Sequence, residues 1–305
     1  MIPLGYRSWK DSSNAKLDFH YWGTRSEERI SLMAKQPLAE VFGYPITNMS
    51  DSAIRARDEH LCPFGNRVPE CTKDKRDDPL GVCSILGEDR SAIITCPVRF
   101  RQHGIIYDHA ADFFFEPNAK WKSLPEVRLN DADEKSAGNI DAILVSLDPD
   151  DKIVDFGAVE IQSVYISGNV RNPFEHYMQD PVNRQRMDWS GHEGYPRADY
   201  LSSSRKRLAP QLLFKGGILR AWSKKSAVVL NTGFFDTLPE LKEVSKAEAE
   251  VAWLVFDLVL DQVSNAYTLT HHRSVYTKFD ESLVKITTAK PGNMQSFIDA
   301  LQKKL

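Results

Sequence analysis

Two short apolar runs, residues 139–146 (NIDAILVS) and 159–166 (VEIQSVYI), constrain this chain more than anything else in it. Each is rich in Ile and Val and bounded by Gly, Asp or Pro, the pattern of buried strands. Side chains alternate across a strand, so Glu160 and Gln162 share one face while Val159 and Ile161 take the other. Asp141, early in the first run, and Glu160 in the next can converge on one divalent cation. A cation is one way to compensate carboxylates that are costly to bury alone. The plainer alternative is a half-exposed sheet in which acids alternate with apolar residues, and Asp followed at this distance by Glu-x-Gln is by itself a weak pattern.

Along the rest of the chain, strand patterns interleave with helical ones, which gives an α/β or α+β core. A helix is expected at 26–40, and from residue 121 to about 167 the pattern reads as helix and then strands. A polar stretch rich in Arg, Asn, Gly and Pro fills 168–196. A long helix with a basic start (Arg205, Lys206, Arg207) is expected at 202–222, and a strand at 227–230. A helix follows at 238–250, with Thr237 and Glu240 as its capping box, then a strand pair at 251–260 and 267–277 and a closing helix at 296–304. No run is long enough to cross a membrane, and the N-terminus lacks a signal-peptide core, so a cytoplasmic location is expected. The formal charge of −3 argues against non-specific coating of nucleic acid but leaves room for a focused basic groove.

The four cysteines, Cys62, Cys71, Cys83 and Cys96, all fall in one loop-rich segment. Intracellular proteins seldom use disulfides, so a four-thiolate structural metal site is one reading and scattered buried thiols the other. The spacing is wider than the Cys-x-x-Cys pairs of zinc ribbons. Zinc and iron both accept four thiolates, so the ligands do not choose between them.

Asp141, then a turn-forming segment at 148–152 (DPDDK), then Glu160-Ile-Gln162 resembles the layout of PD-(D/E)xK nucleases, with Gln162 in the lysine position. In that chemistry carboxylates hold Mg²⁺ beside the scissile phosphate. A Gln can orient a water but carries no charge. Glu126, in Ser123-Leu-Pro-Glu126, has capping-box spacing at an expected helix start; it can serve as a helix cap or as a further active-site acid.

Taken together, the four cysteines, Glu126, Asp141 and the run Glu160-Ile-Gln162-Ser-Val-Tyr-Ile-Ser-Gly168 resemble the NotI-type type II restriction endonucleases, from about residue 62 to the C-terminus. The resemblance implies an α/β PD-(D/E)xK core, a mixed central sheet flanked by helices, preceded by a four-cysteine metal-binding module. It divides the chain into an N-terminal helical segment (1–57), the cysteine module (58–104) and a catalytic and DNA-binding core (105–305). It also implies Mg²⁺-dependent cleavage of double-stranded DNA at a GC-rich palindrome, leaving 5′-phosphate and 3′-hydroxyl ends. By position, Asp141 and Glu160 would hold Mg²⁺, Gln162 would replace the lysine, Glu126 would assist, and the cysteines would hold structural iron, with zinc as the alternative. A homodimer and a companion methyltransferase that protects host DNA are expected. The rival readings are a non-specific or repair nuclease of the same fold and a catalytically silent DNA-binding module.

Contacts to DNA need basic and amide side chains, since Arg reads guanine and amides pair with base edges. The candidates are Arg99, Arg101, Gln102 and His103 after the last cysteine, and Arg184, Gln185, Arg186, Asp188 and Arg197 in the polar stretch. Arg205 and its basic neighbours suit phosphates. His271, His272 and Arg273 are expected at a sheet edge.

Overall fold

The computed structural model describes residues 35–305 apart from Arg76. The chain begins with strands β1 (Leu38–Val41) and β2 (Tyr44–Pro45), helix α1 (Asp51–Asp58), and strands β3 (Val82–Leu86) and β4 (Ala92–Ile94). A 3₁₀ segment, Pro97–Gly104, leads into α2 (Ile105–Phe114). Strands β5 (Lys120–Asn130), β6 (Ser136–Leu147), β7 (Ile153–Gln162) and β8 (Tyr165–Ser167) follow. Then come helices α3 (Arg171–Gln179) and α4 (Pro181–Arg184), strand β9 (Arg197–Asp199), and a helical run over 200–221, α5. The rest is β10 (Ser226–Asn231), the short α6 (Thr232–Phe235), β11 (Val251–Asp261), β12 (Ala266–Thr277), α7 (Phe279–Thr287) and α8 (Met294–Gln302).

A mixed six-stranded sheet forms the centre, in the order β12-β11-β10-β7-β6-β5. β10 is parallel to both β7 and β11, while β5–β6, β6–β7 and β11–β12 are antiparallel. Every residue of β10 is buried, as expected of a strand covered on both faces. Its alternation sorts the layers. Ala227 and Val229 pack with Val159, Ile161 and α2 residues Ile106, Ala110 and Phe113 on one side. Val228 and Leu230 pack with Leu208 and Leu212 of α5 and Phe279 of α7 on the other. The approach of α2 to β7 is so close that a Cβ on Gly157 would stand 2.4 Å from the Phe114 ring. A second, antiparallel sheet, β2-β1-β3-β4, shares these cores: Leu38, Val82 and Ile85 belong to the same apolar cluster as Val228 and Trp253.

Several expected elements are present: the helix at 202–222, the strand at 227–230, the β11–β12 pair and the closing helix. Others are corrected. Of the helix expected at 26–40, residues 26–34 lie outside the described residues, and 38–41 is a fully buried strand. Burial overrides propensity there, because Glu40 is drawn into the core by Arg99 and Ser84. Residues 120–130 are a strand rather than a helix start. The run 159–166 is two strands, broken where the Val164 N–H turns away to donate to the Ile94 carbonyl. No helix forms at 238–250. The N–H groups of Val244 and Glu250 instead donate to the carbonyls of Tyr276 and Thr277 on β12, so an exposed strand edge outcompetes the helix. Thr237 is not a cap; its hydroxyl donates to the Phe234 carbonyl.

Candidate active site

β7 turns Glu160 and Gln162 toward α5, on the face that β10 fills with Val228 and Leu230, their register partners. The helix answers with two side chains one turn apart, Lys215 and Gln211. Lys215 Nζ donates to Glu160 Oε2 at 2.6 Å, and Gln162 Nε2 donates to Gln211 Oε1. Residues two apart on a strand and four apart on a helix have similar spacing, so the pairs form two rungs between β7 and α5. A further bond from Lys215 Nζ to the Asn139 carbonyl, 2.8 Å, ties the same ammonium to β6. Lys215 and Glu160 are both nearly inaccessible, 4 % and 6 % exposed.

Asp141 lies on the neighbouring strand, one residue from the Ala142–Val159 pair, which sets it beside Glu160. Its Oδ2 accepts from the Ile161 N–H at 2.8 Å. Glu160 Oε1 is buried and has no partner. Burial above all pushes the Glu160 carboxyl up to about 8; Asp141 adds to the rise and Lys215 opposes it. A buried, unpartnered carboxylate oxygen beside a second carboxylate is a donor pair suited to a hard divalent cation. Among the described residues no group of three or more His, Cys, Asp or Glu side chains is set to hold a metal ion, whether around these acids or among the cysteines.

Glu126 is not a helix cap. It sits in β5 between residues paired with Ala142 and Ile140, which sets it across from Asp141, and its φ of +50° is left-handed. Non-glycine residues adopt that conformation at a cost, most often at functional or turn positions. Its carboxylate pairs with Arg67 of the cysteine segment, Nη2 to Oε2 at 2.8 Å.

All four cysteines are free thiols, Cys62 partly buried and the others buried. Antiparallel bridges at Leu61–Glu70 and Asp74–Pro79 fold the segment, while Cys83 lies on β3 and Cys96 just after β4. Burial pushes the Cys62 thiol up to about 11, with Cys96 and Cys71 adding to it. Burial raises Cys71 and Cys83 as well, and Cys96 contributes to both. Cys96 is felt by each of the other three thiols, but among the described residues the four are not drawn together into a group set to hold a metal ion.

The expected DNA contacts divide sharply. Arg99 is fully buried; it binds Glu40 at 3.0 Å, donates to the Tyr267 carbonyl and stacks on Phe64. Gln102 accepts from Arg99 and from the Leu269 N–H. Arg99 thus serves the scaffold, its guanidinium committed inside the protein, while Gln102 is half-buried and holds the scaffold through its Oε1. Arg101 differs: its Nε is buried with no partner, and its charge is felt by Cys62 and by Tyr107, which in turn feels Asp141. Arg184 is held by the His176 carbonyl and Gln179. Gln185 donates to the Val182 carbonyl. Asp188 accepts from the Ser190 N–H, and His103 is exposed. Arg186, Arg197 and the basic triplet at 205–207 are also exposed. Gly168, with φ +82°, closes the polar stretch where a Cβ would stand 2.5 Å from the Gly194 carbonyl. His271, His272 and Arg273 lie on β12, an edge strand, as expected.

Lys215, Gln211 and Arg67 were missed by sequence reasoning. For Lys215 a signal existed, a lone charge in the otherwise apolar run 212–218 (LLFKGGI). For Arg67 there was none, because the contact joins segments far apart in the chain.

A mixed sheet flanked by helices agrees with a fold of the restriction-endonuclease class. A family model described as "Restriction endonuclease NotI" matches residues 40–269. The chain belongs to that family, and with it to the type II site-specific deoxyribonucleases acting on DNA. No curated protein matches it. No helix among the described residues is long and apolar enough to cross a membrane.

Proposed function

We propose that this protein cleaves double-stranded DNA at a GC-rich palindrome in a Mg²⁺-dependent hydrolysis, leaving 5′-phosphate and 3′-hydroxyl ends. The observation that carries the reading is the unpartnered, buried Glu160 Oε1 beside Asp141. Asp141 and Glu160 are the residues that would hold Mg²⁺, which when bound supplies positive charge and Lewis acidity at the scissile phosphate. On this reading β5, β6 and β7 belong to a PD-(D/E)xK core. Gln162 orients the attacking water through its amide, and Glu126, across from Asp141, supports the same centre once Arg67 releases it. The exposed Arg186, Arg197 and Arg205, with the half-exposed Arg101, are the side chains we assign to DNA; backbone phosphates are the natural partners of such a basic set.

The four cysteines are read as a structural metal site of the module 58–104, holding iron, with zinc as the alternative. Four thiolates suit either metal by chemistry, but the cysteines as they stand are not gathered into a metal-holding group, so this reading requires that metal binding draw them together. A homodimer is the simplest reader of a two-fold site. A companion methyltransferase and a cytoplasmic location complete the proposal.

Asp141→Ala tests it. Plasmid digestion with Mg²⁺ should give discrete bands with the parent and none with the variant, while binding to the same DNA persists. Cleavage by the variant, or a smear from the parent, would overturn the assignment. Metal analysis of anaerobically purified protein, with a visible spectrum, separates iron from zinc.

A further inference from the structure

We propose that Lys215 is the positioning cation of this site, delivering from α5 the positive charge that Gln162 leaves absent on β7. The inference rests on the reading of Asp141 and Glu160 as the Mg²⁺ site.

Three observations carry it. The ammonium reaches Glu160 Oε2 at 2.6 Å and the Asn139 carbonyl at 2.8 Å, so it bridges the two strands that bear the acids. It engages one oxygen of Glu160 and leaves the other, Oε1, without a partner. A carboxylate held at one oxygen is restrained in rotation while its other oxygen stays open to a further ligand. Finally, the helix is locally rewound around this contact: π-helical turns occupy Ser204–Leu208 and Leu212–Gly216, on either side of Ala209–Gln211. Such turns are rare and recur at functional sites. The second contains Lys215, and Gln211, one turn earlier, meets Gln162. Strand and helix thus exchange roles. The position next to Glu160 on β7 carries a neutral amide, and the charge arrives on a different element.

A buried Lys–Glu pair can also be mere scaffold, so the test needs readouts that scaffolding would not move. In Lys215→Met, single-turnover cleavage should slow about 100-fold, the scale of losing one preorganised charge-stabilising donor. Binding of Mn²⁺, followed by electron paramagnetic resonance, should weaken about tenfold, as when an outer-shell partner of a ligand is removed. Affinity for cognate DNA measured with Ca²⁺ should stay within about threefold of the parent, since Lys215 is buried away from it. The double variant Lys215→Met with Gln162→Lys returns an ammonium to the cluster and should recover at least tenfold of the lost rate. A folded Lys215→Met protein that cleaves and binds Mn²⁺ like the parent would overturn the proposal. If Lys215→Met does not fold, the double variant decides: folded but inactive, it overturns the proposal, and folded and active, it supports it. Asp141→Ala serves as the control for the underlying reading. Unchanged Mn²⁺ binding and cleavage in that variant would sink the metal site itself, whatever Lys215 does.

Discussion

At Glu160 burial and charge oppose each other, and burial wins. Its carboxyl is raised from 4.5 to about 8, so the folded state prefers the protonated form. The resulting contribution to stability is complete below the unfolded value, 4.5, and is lost as pH rises through about 8. Metal-free protein should therefore melt at progressively lower temperature across that window, and Glu160→Gln should flatten this part of the profile in calorimetry. Mg²⁺ must displace the same proton, so its affinity should climb over the same range; a flat titration would contradict the assignment. Arg99 gives the opposite lesson. Read from sequence it was a groove contact, yet it is a buried counterion of Glu40. Arg99→Met should cost about 3–5 kcal/mol in denaturant unfolding, because it strands a buried carboxylate. That Glu160 and Gln162 share a face was legible from strand periodicity, but their grouping with Asp141 rested on the family resemblance, because the pattern by itself is weak. Arg99 was not, since a lone Arg looks the same whether its partner is a phosphate or a core acid.

At the scale of elements, the helix and strand patterns were readable wherever local preference and tertiary environment agreed. β10 and β11, apolar and short, and α5, long and periodic, formed as expected. The segment 238–250 carried a helical pattern but was captured by the edge of β12, a competition that no local pattern reports. Glu126 was misplaced for a related reason: the Ser-x-x-Glu spacing fits a cap, but pairing with β6 makes it a strand. The pairing of β7 with α5 has its own test. Gln162→Lys places a second ammonium against the Lys215 end of the same seam, and like charges there repel. Cleavage should fall at least about tenfold while DNA binding holds. In the cysteine segment, Cys71→Ser should lower the melting temperature more than it lowers the cleavage rate of the folded fraction, because a structural metal contributes folding free energy.

Across the whole molecule, the two sheets share their apolar clusters, and the cysteine segment reaches the acids directly through Arg67 and Glu126. If the cysteines hold the proposed metal, removing it with a chelator should therefore unfold more than a peripheral loop. Hydrogen exchange should rise along β5 as well as around Cys62–Cys96, and protection confined to the core with a freely exchanging cysteine loop would show the two to be independent. Sedimentation at micromolar concentration should give a dimer; a monomer that still cuts both strands in one encounter would contradict the symmetric reading.

The exposed triplet Arg205, Lys206 and Arg207, the half-buried Gln211 and the buried Lys215 ride on one continuous helical run, 200–221. If the triplet grips a backbone, the run acts as a lever: a small rotation imposed at its start is delivered to both rungs at once, with the π-helical turns as its compliant joints. A near-cognate sequence could then still be held while the acids sit slightly out of alignment. Fidelity would reside in commitment to the cut more than in capture, and a single mismatched base pair should depress the cleavage rate by a larger factor than the binding constant.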